Sequence, residues 1–239
     1  MEKELIDFIN ENEQLINENR WEELYQKCDQ LKRGALTDCL LAANLEVFEK
    51  MDKIPNGAFF LSKIIEFTIP NNITSISKYA FNTCPSLTSI VIPDSVSSID
   101  YAAFSYCVSL TSVAIPNSVT TIGNCAFYGC ESLTSVIIPN TVTSIGEGAF
   151  QSCTKLTSVI IGDGVTSIGV SAFYGCTSLT DITIPNSLTT IGKYAFDGCH
   201  DINITYEGTK ERWKNIAKGK FNGVTYTCNC LDGIFKKSR

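Results

Sequence analysis

From Ile64 onward the chain repeats one arrangement of apolar and polar positions every 23 residues. In one copy the apolar positions are Leu133, Val136, Ile138, Val142, Ile145, Ala149, Phe150 and Cys153, and serine, threonine, asparagine and glycine fill most of the gaps. Six phenylalanines, Phe81, Phe104, Phe127, Phe150, Phe173 and Phe196, keep this spacing without a slip. Six cysteines, Cys84, Cys107, Cys130, Cys153, Cys176 and Cys199, follow each of them by three residues. A fixed period of this length predicts a solenoid, whose units bury their apolar sides against their neighbours. No unit can fold alone, because its buried side chains, worth about 1.5–3 kcal/mol each, are offset by the entropy of ordering the whole unit.

Leu133, Val136 and Ile138 follow the L-x-x-L-x-L pattern of a short strand that turns its apolar residues inward. Pro139 is expected to end the strand, since proline has no amide to donate to the next rung, and Pro93, Pro116 and Pro185 repeat it. The V-x-x-I-G segment returns along the back with Val142 and Ile145 inward, and Gly146, matched by Gly123, Gly169 and Gly192, is expected at positive φ. Ala149, Phe150 and Cys153 suit one irregular helical turn rather than a strand. Strands are predicted near Leu87, Leu110, Leu133, Leu156 and Leu179, with weaker copies at Ile64 and Ile202. These rungs give an inner sheet about 30 Å long at about 4.8 Å per rung.

The run I-P-N-S-V-T-T-I-G-N-C-A-F-Y-G-C-E-S-L-T-S-V at 115–136 resembles the BspA-like leucine-rich repeat family. The likeness covers about residues 57–206 and includes the period, the A-F-x-x-C element and the I-P strand end. It implies a bacterial or protozoan binding protein, often surface-attached and engaged in adhesion to host proteins or other cells, and not an enzyme.

The two ends differ from the array. Residues 1–53 hold 13 acidic and seven basic residues, with apolar residues at helical spacing from Leu5, Ile6, Phe8 and Ile9 through Leu15, Trp21 and Leu31. They read as a helical N-terminal cap, with Thr37 or Asp38 opening a further helix. The solenoid spans 54–206. Residues 207–239 form a C-terminal cap and tail: the final strand Ile202–Tyr206 leads to a short helix from Gly208 through Trp213, and Val224–Cys228 adds an edge strand. Lys236, Lys237 and Arg239 read as a free, solubilising end. The fold class is therefore α+β: a leucine-rich-repeat solenoid with a short-stranded inner parallel sheet and two caps. A well-capped stack is expected to be monomeric, unless an edge near Tyr226 pairs two molecules.

Composition narrows the chemistry. The net charge of −6 argues against nucleic acid as a partner. No apolar run is long enough for a membrane span, and Met1-Glu-Lys-Glu lacks the basic start of a secretion signal, so the expected location is cytoplasmic, with the cell surface the alternative that the resemblance implies. The six periodic cysteines read as buried free thiols, and Cys28, Cys39 and Cys125 as packing or surface thiols. Cys228 and Cys230 with Cys199 and His200 have a spacing foreign to zinc sites, so no metal is assigned. His200 is the one histidine and is paired with no nucleophile, while Asp94, Asp100, Glu131, Glu147, Asp163, Asp181 and Asp197 fall at different registers. No catalytic residue and no cofactor are assigned.

What remains is surface. Between the inward positions the strands expose Ser89 and Val91, Ser112 and Ala114, Ser135 and Ile137, Ser158 and Ile160, then Asp181 and Thr183. Val91, Ala114, Ile137 and Ile160 form an apolar stripe bordered by serines on the concave face, the preferred site for a protein partner. Tyr101, Tyr106, Tyr128, Tyr174 and Tyr194 offer a second edge. A third possibility is a hydroxyl array, Thr120-Thr121, Thr143-Ser144, Thr166-Ser167 and Thr189-Thr190, ordering water or carbohydrate.

Overall fold

The structure is a computed structural model that describes residues 51–218, 220–221 and 224–237. The expected helical cap over 1–53 lies outside the described residues except for its last positions. Of these, Met51 is buried and Lys53 opens the first strand.

The described chain winds as a solenoid with two parallel faces. The returning segments form a continuous seven-stranded back sheet: β1 (Lys53–Ile54), β3 (Ser75–Ile76), β5 (Ser98–Ile99), β6 (Thr121–Ile122), β8 (Ser144–Ile145), β10 (Ser167–Ile168) and β12 (Thr190–Ile191). Each back strand is short, and its isoleucine points inward. The front sheet carries the longer strands β2 (Glu66–Thr68), β4 (Ser89–Val91), β7 (Ser135–Ile138), β9 (Ser158–Ile161), β11 (Asp181–Ile184) and β13 (Ile202–Tyr206). Proline or glycine follows most of them and starts a turn: the amides of Val96, Val119, Val142, Val165 and Leu188 donate to Pro93, Pro116, Pro139, Gly162 and Pro185.

The front sheet is not continuous. A strand is expected at Leu110, but Ser112–Ile115 makes no backbone hydrogen bond among the described residues, and the sheet divides into a two-stranded part, β2-β4, and a six-stranded part beginning at β7. Only Thr111 bridges the gap, donating to Thr88 at 3.4 Å and accepting from Thr134 at 3.2 Å. Alanine is a poor strand former, and Ala114 stands where the neighbouring rungs have Val91 and Ile137.

The third side of each coil is the A-F element, and its hydrogen bonds alternate. In one copy the amides of Ala149, Gln151 and Cys153 close tight turns onto Gly146, Gly148 and Phe150, while those of Gly148, Phe150 and Ser152 donate to Val170, Ala172 and Tyr174 of the next coil. The alternation requires two left-handed residues per coil, one before the alanine and one two places after the phenylalanine. They are held by Tyr79 and Thr83, Ala102 and Tyr106, Cys125 and Gly129, Gly148 and Ser152, and so on along the array. Gly146 is not among them, contrary to expectation. A Cβ there would lie 2.6 Å from the backbone of Gly123 and Asn124 one coil back, so this glycine serves close approach between coils rather than positive φ.

The core is a column of aromatic rings. Phe59, Phe81, Phe104, Phe127, Phe150, Phe173, Phe196 and Phe221 stack with centroids 4.7–5.5 Å apart and planes within 7°. Beside it the six periodic cysteines are buried and free, as expected, and each thiol donates to a phenylalanine carbonyl of the preceding coil, from Cys84 to Phe59 at 2.9 Å through Cys199 to Phe173 at 3.3 Å.

The C-terminal end is closed by the expected helix α1 (Lys210–Ala217), which buries Trp213 and is capped by the Thr209 side chain accepting from the Arg212 amide. The strand at Tyr226 is present as β14 (Tyr226–Cys230), parallel to β13, but it is not an edge. Chain turns back and pairs antiparallel as β15 (Gly233–Lys237), so Lys236 and Lys237 are not a free end: Lys237 Nζ donates to the Phe221 carbonyl.

Candidate binding face

Strand register decides what the front sheet presents. β7 and β9 place Ser135 beside Ser158 and Ile137 beside Ile160, and β11 adds Asp181 and Thr183 in the same two columns. On the other side of the gap β2 and β4 align Glu66 with Ser89 and Thr68 with Val91. Between these parts lie Ser112 and Ala114, exposed but outside any strand.

The alternate residues of each strand face solvent while their neighbours are buried, because successive side chains leave a pleated strand on opposite sides. Val91, Ile137 and Ile160 are 54%, 63% and 49% exposed, whereas Val136 and Val159 beside the last two are 2% and 1% exposed. Ser89, Ser112, Ala114, Ser135 and Asp181 are exposed, and Ser158 and Thr183 half-buried. The apolar column ends in polar residues on both sides, at Thr68 and at Thr183 followed by Thr205. Asp181 is oriented by two neighbours: Thr180 donates to one carboxylate oxygen at 2.7 Å and the Asn203 amide to the other at 3.4 Å. Glu66, Thr68, Asn203 and Thr205 extend the columns and were not part of the sequence-derived face. Their rungs depart from the leucine consensus, and only the 23-residue offset of Glu66 and Thr68 from Ser89 and Val91, and the 22-residue offset of Asn203 and Thr205 from Asp181 and Thr183, mark them.

A border of threonines flanks the serine column. Thr88, Thr111, Thr134 and Thr157 each donate their hydroxyl to the carbonyl one coil back, at 3.0–3.3 Å, whereas the Thr180 proton goes to Asp181. The back sheet has a matching ladder, in which Thr120, Thr166 and Thr189 donate to Ser97, Thr143 and Thr166. In three of the four pairs expected to form a hydroxyl array, the first hydroxyl thus spends its proton on the protein's own backbone.

The tyrosines fall into pairs on the A-F edge rather than one strip. Tyr79 meets Tyr101 edge to face at 5.2 Å and Tyr106 meets Tyr128 at 5.0 Å, while Tyr174 and Tyr194 are exposed farther along. Hydrogen bonding to Tyr79 raises the Tyr101 phenol above its ordinary pKa, and Tyr128 does the same for Tyr106.

No group of three or more histidine, cysteine, aspartate or glutamate side chains is placed to hold a metal among the described residues. Cys199 is committed to its carbonyl and Cys228 pairs with Cys230, so the four potential ligands of the C-terminal region do not converge. Burial pushes the thiols of Cys153 and Cys199 up to about 12 and raises those of Cys107, Cys130 and Cys176, the reverse of what a nucleophilic cysteine needs. No helix among the described residues is long and apolar enough to cross a membrane.

A model of the BspA type leucine rich repeat region matches residues 20–111 and 97–226 in six copies. A leucine-rich repeat protein of T. pallidum is 33% identical with a TM-score of 0.56, over 60% of this chain and 68% of that one. A leucine rich cell surface protein of Faecalibacterium prausnitzii is 25% identical with a TM-score of 0.45, over 64% of this chain and 62% of that one. The pneumococcal vaccine antigen PcpA shares the fold at 20% identity and a TM-score of 0.51; the match takes in 74% of this chain and 42% of PcpA. A comparison with curated proteins returns no match. The period, the stacked phenylalanines, the two-faced coil and the family match agree: the chain belongs to the BspA-type leucine-rich repeat family.

Proposed function

We propose that this protein is a non-catalytic scaffold that binds another protein through the front sheet, with Val91, Ala114, Ile137 and Ile160 at the centre and Ser89, Ser112, Ser135, Ser158, Asp181 and Thr183 around them. The observation that carries this reading is the exposure of Val91, Ile137 and Ile160 at equivalent positions of their coils, with Thr68 and Thr183 on the rungs that adjoin them. A contiguous exposed apolar strip costs solubility and is a common mark of a contact surface. Val91, Ile137 and Ile160 stand on hydrogen-bonded strands over a buried underside, and Ala114 lies in the break between them. The serines and threonines beside it suit the polar rim of an interface, and the two exposed columns, Glu66 to Asn203 and Thr68 to Thr205, hold no lysine or arginine, which disfavours a phosphate backbone. The reading holds on either side of a membrane.

Ile137→Glu tests it. The side chain is solvent-facing, so the substitution should leave the thermal midpoint within a few degrees of wild type. Affinity capture from extracts of the source cell and of cells that it contacts, followed by mass spectrometry, should lose its specific proteins with the variant. Identical catches from both proteins would exclude this face.

A further inference from the structure

The closing hairpin holds a pair of cysteines that the repeats do not explain. Cys228 and Cys230 lie two apart on β14, on the side of the strand that faces inward, and their sulfurs are 3.5 Å apart. Cys228 is buried and Cys230 half-buried. Each of the six ladder thiols is engaged with a phenylalanine carbonyl, whereas these two sulfurs are engaged with each other.

Two residues along a strand span about 6.6 Å, at the upper limit of the Cα separations that disulfides bridge, about 4.4–6.8 Å. The sulfurs must approach by a further ~1.5 Å to reach bonding distance. Cys230 can supply that movement, because it is the last residue of β14 and the turn at Leu231 and Asp232 follows it. A ring closed at this limit is strained and therefore easily reduced, which suits a reversible mark better than a permanent staple.

We propose that Cys228 and Cys230 are a redox pair, oxidised by hydroperoxides to an intrastrand disulfide in the closing hairpin. The Cys230 thiolate attacks one peroxide oxygen, the O–O bond breaks, and the departing oxygen takes up a proton and leaves as water or an alcohol. The resulting Cys230 sulfenic acid is attacked by the Cys228 sulfur, whose proton leaves with the sulfenic oxygen as a second water while the S–S bond forms. Two thiols and one hydroperoxide thus give one disulfide, one water from the sulfenic oxygen and one water or alcohol from the departing oxygen, with two electrons passing from sulfur to oxygen. Burial raises the Cys228 thiol above its ordinary pKa, which assigns it the resolving role and leaves the first attack to the more accessible Cys230.

The sequence provides a clean readout. Trypsin cutting after Lys220 and Lys236 releases Phe221–Lys236, in which Cys228 and Cys230 are the only cysteines. The reduced full-length protein is treated with a small excess of hydrogen peroxide, denatured in an alkylating agent, digested and weighed. The peptide should carry two alkyl groups before peroxide, and after peroxide none with the loss of both thiol hydrogens, and dithiothreitol should reverse the change. It should react at least tenfold faster than any ladder cysteine. In Cys230→Ser, Cys228 should remain alkylatable at the same dose. A peptide that keeps both alkyl groups, that gains oxygen instead of losing hydrogen, that is joined to another cysteine, or in which Cys228 is consumed equally fast in the Cys230→Ser variant would overturn the proposal.

Discussion

Two glycines of one coil show how differently the same residue type is used. At Gly146 a methyl group would meet the backbone of the preceding coil at 2.6 Å, which no rotamer can relieve. At Gly148 the constraint is φ of +60°, yet the equivalent position holds Ala102 at +51° and Cys125 at +55°. Gly146→Ala should therefore cost about 1–3 kcal/mol by forcing two coils apart, and Gly148→Ala about 1 kcal/mol through backbone strain alone. Urea unfolding of the two variants checks the order; equal losses would mean that coil spacing is softer than the contact implies. The phenylalanines form a different kind of constraint. Phe127→Ala removes a ring stacked on both faces and should cost about 3–5 kcal/mol.

At the scale of the element, the cysteine ladder makes stability depend on pH. Burial raises the folded Cys153 thiol from 9.0 to about 12, so above about pH 9 the unfolded chain releases a proton that the folded one keeps. Stability conferred by the neutral thiol is complete below the unfolded value and falls across pH 9 to 12, by about 1.4 kcal/mol per pH unit while the two states differ by one proton. Denaturant titrations at pH 8, 9 and 10 should show this fall, and Cys153→Ser should make it shallower. The interrupted front sheet gives a second expectation. Ala114→Ile restores the residue type of the flanking rungs, and it should add up to about 1 kcal/mol and slow amide exchange at Ser112–Ile115. Unchanged exchange there would mean that the gap has another cause. These elements also show what the sequence could convey. Strand order, inward residues and the exposed columns follow from period and alternation, which are local properties. The gap at Ser112 does not, because it depends on whether one alanine between Val91 and Ile137 holds its neighbours, and the left-handed positions are hidden because glycine, tyrosine, alanine, cysteine and serine all occupy them.

At the scale of the molecule, an open stack must be finished at its ends. The C-terminal end shows how: Phe221 lies outside the 23-residue spacing, yet its ring joins the column 4.8 Å from Phe196, with Trp213 and Tyr226 tilted against it. Sequence comparison between repeats misses such a residue, since it reaches the column from an irregular segment. Trp213→Ala should cost about 3–5 kcal/mol and loosen the last coils before the first ones, as hydrogen exchange resolved by peptide would show. The break in the front sheet matters at this scale too. The back sheet runs unbroken past it, so the molecule resembles a bound volume with an intact spine and pages that part at one place. Bending that widens the front would be taken up between Val91 and Ile137 at little expense, while the other coils move as two stiff blocks. A curved partner could thus be accommodated by one local flexure, and tension applied to the ends would open the same seam first.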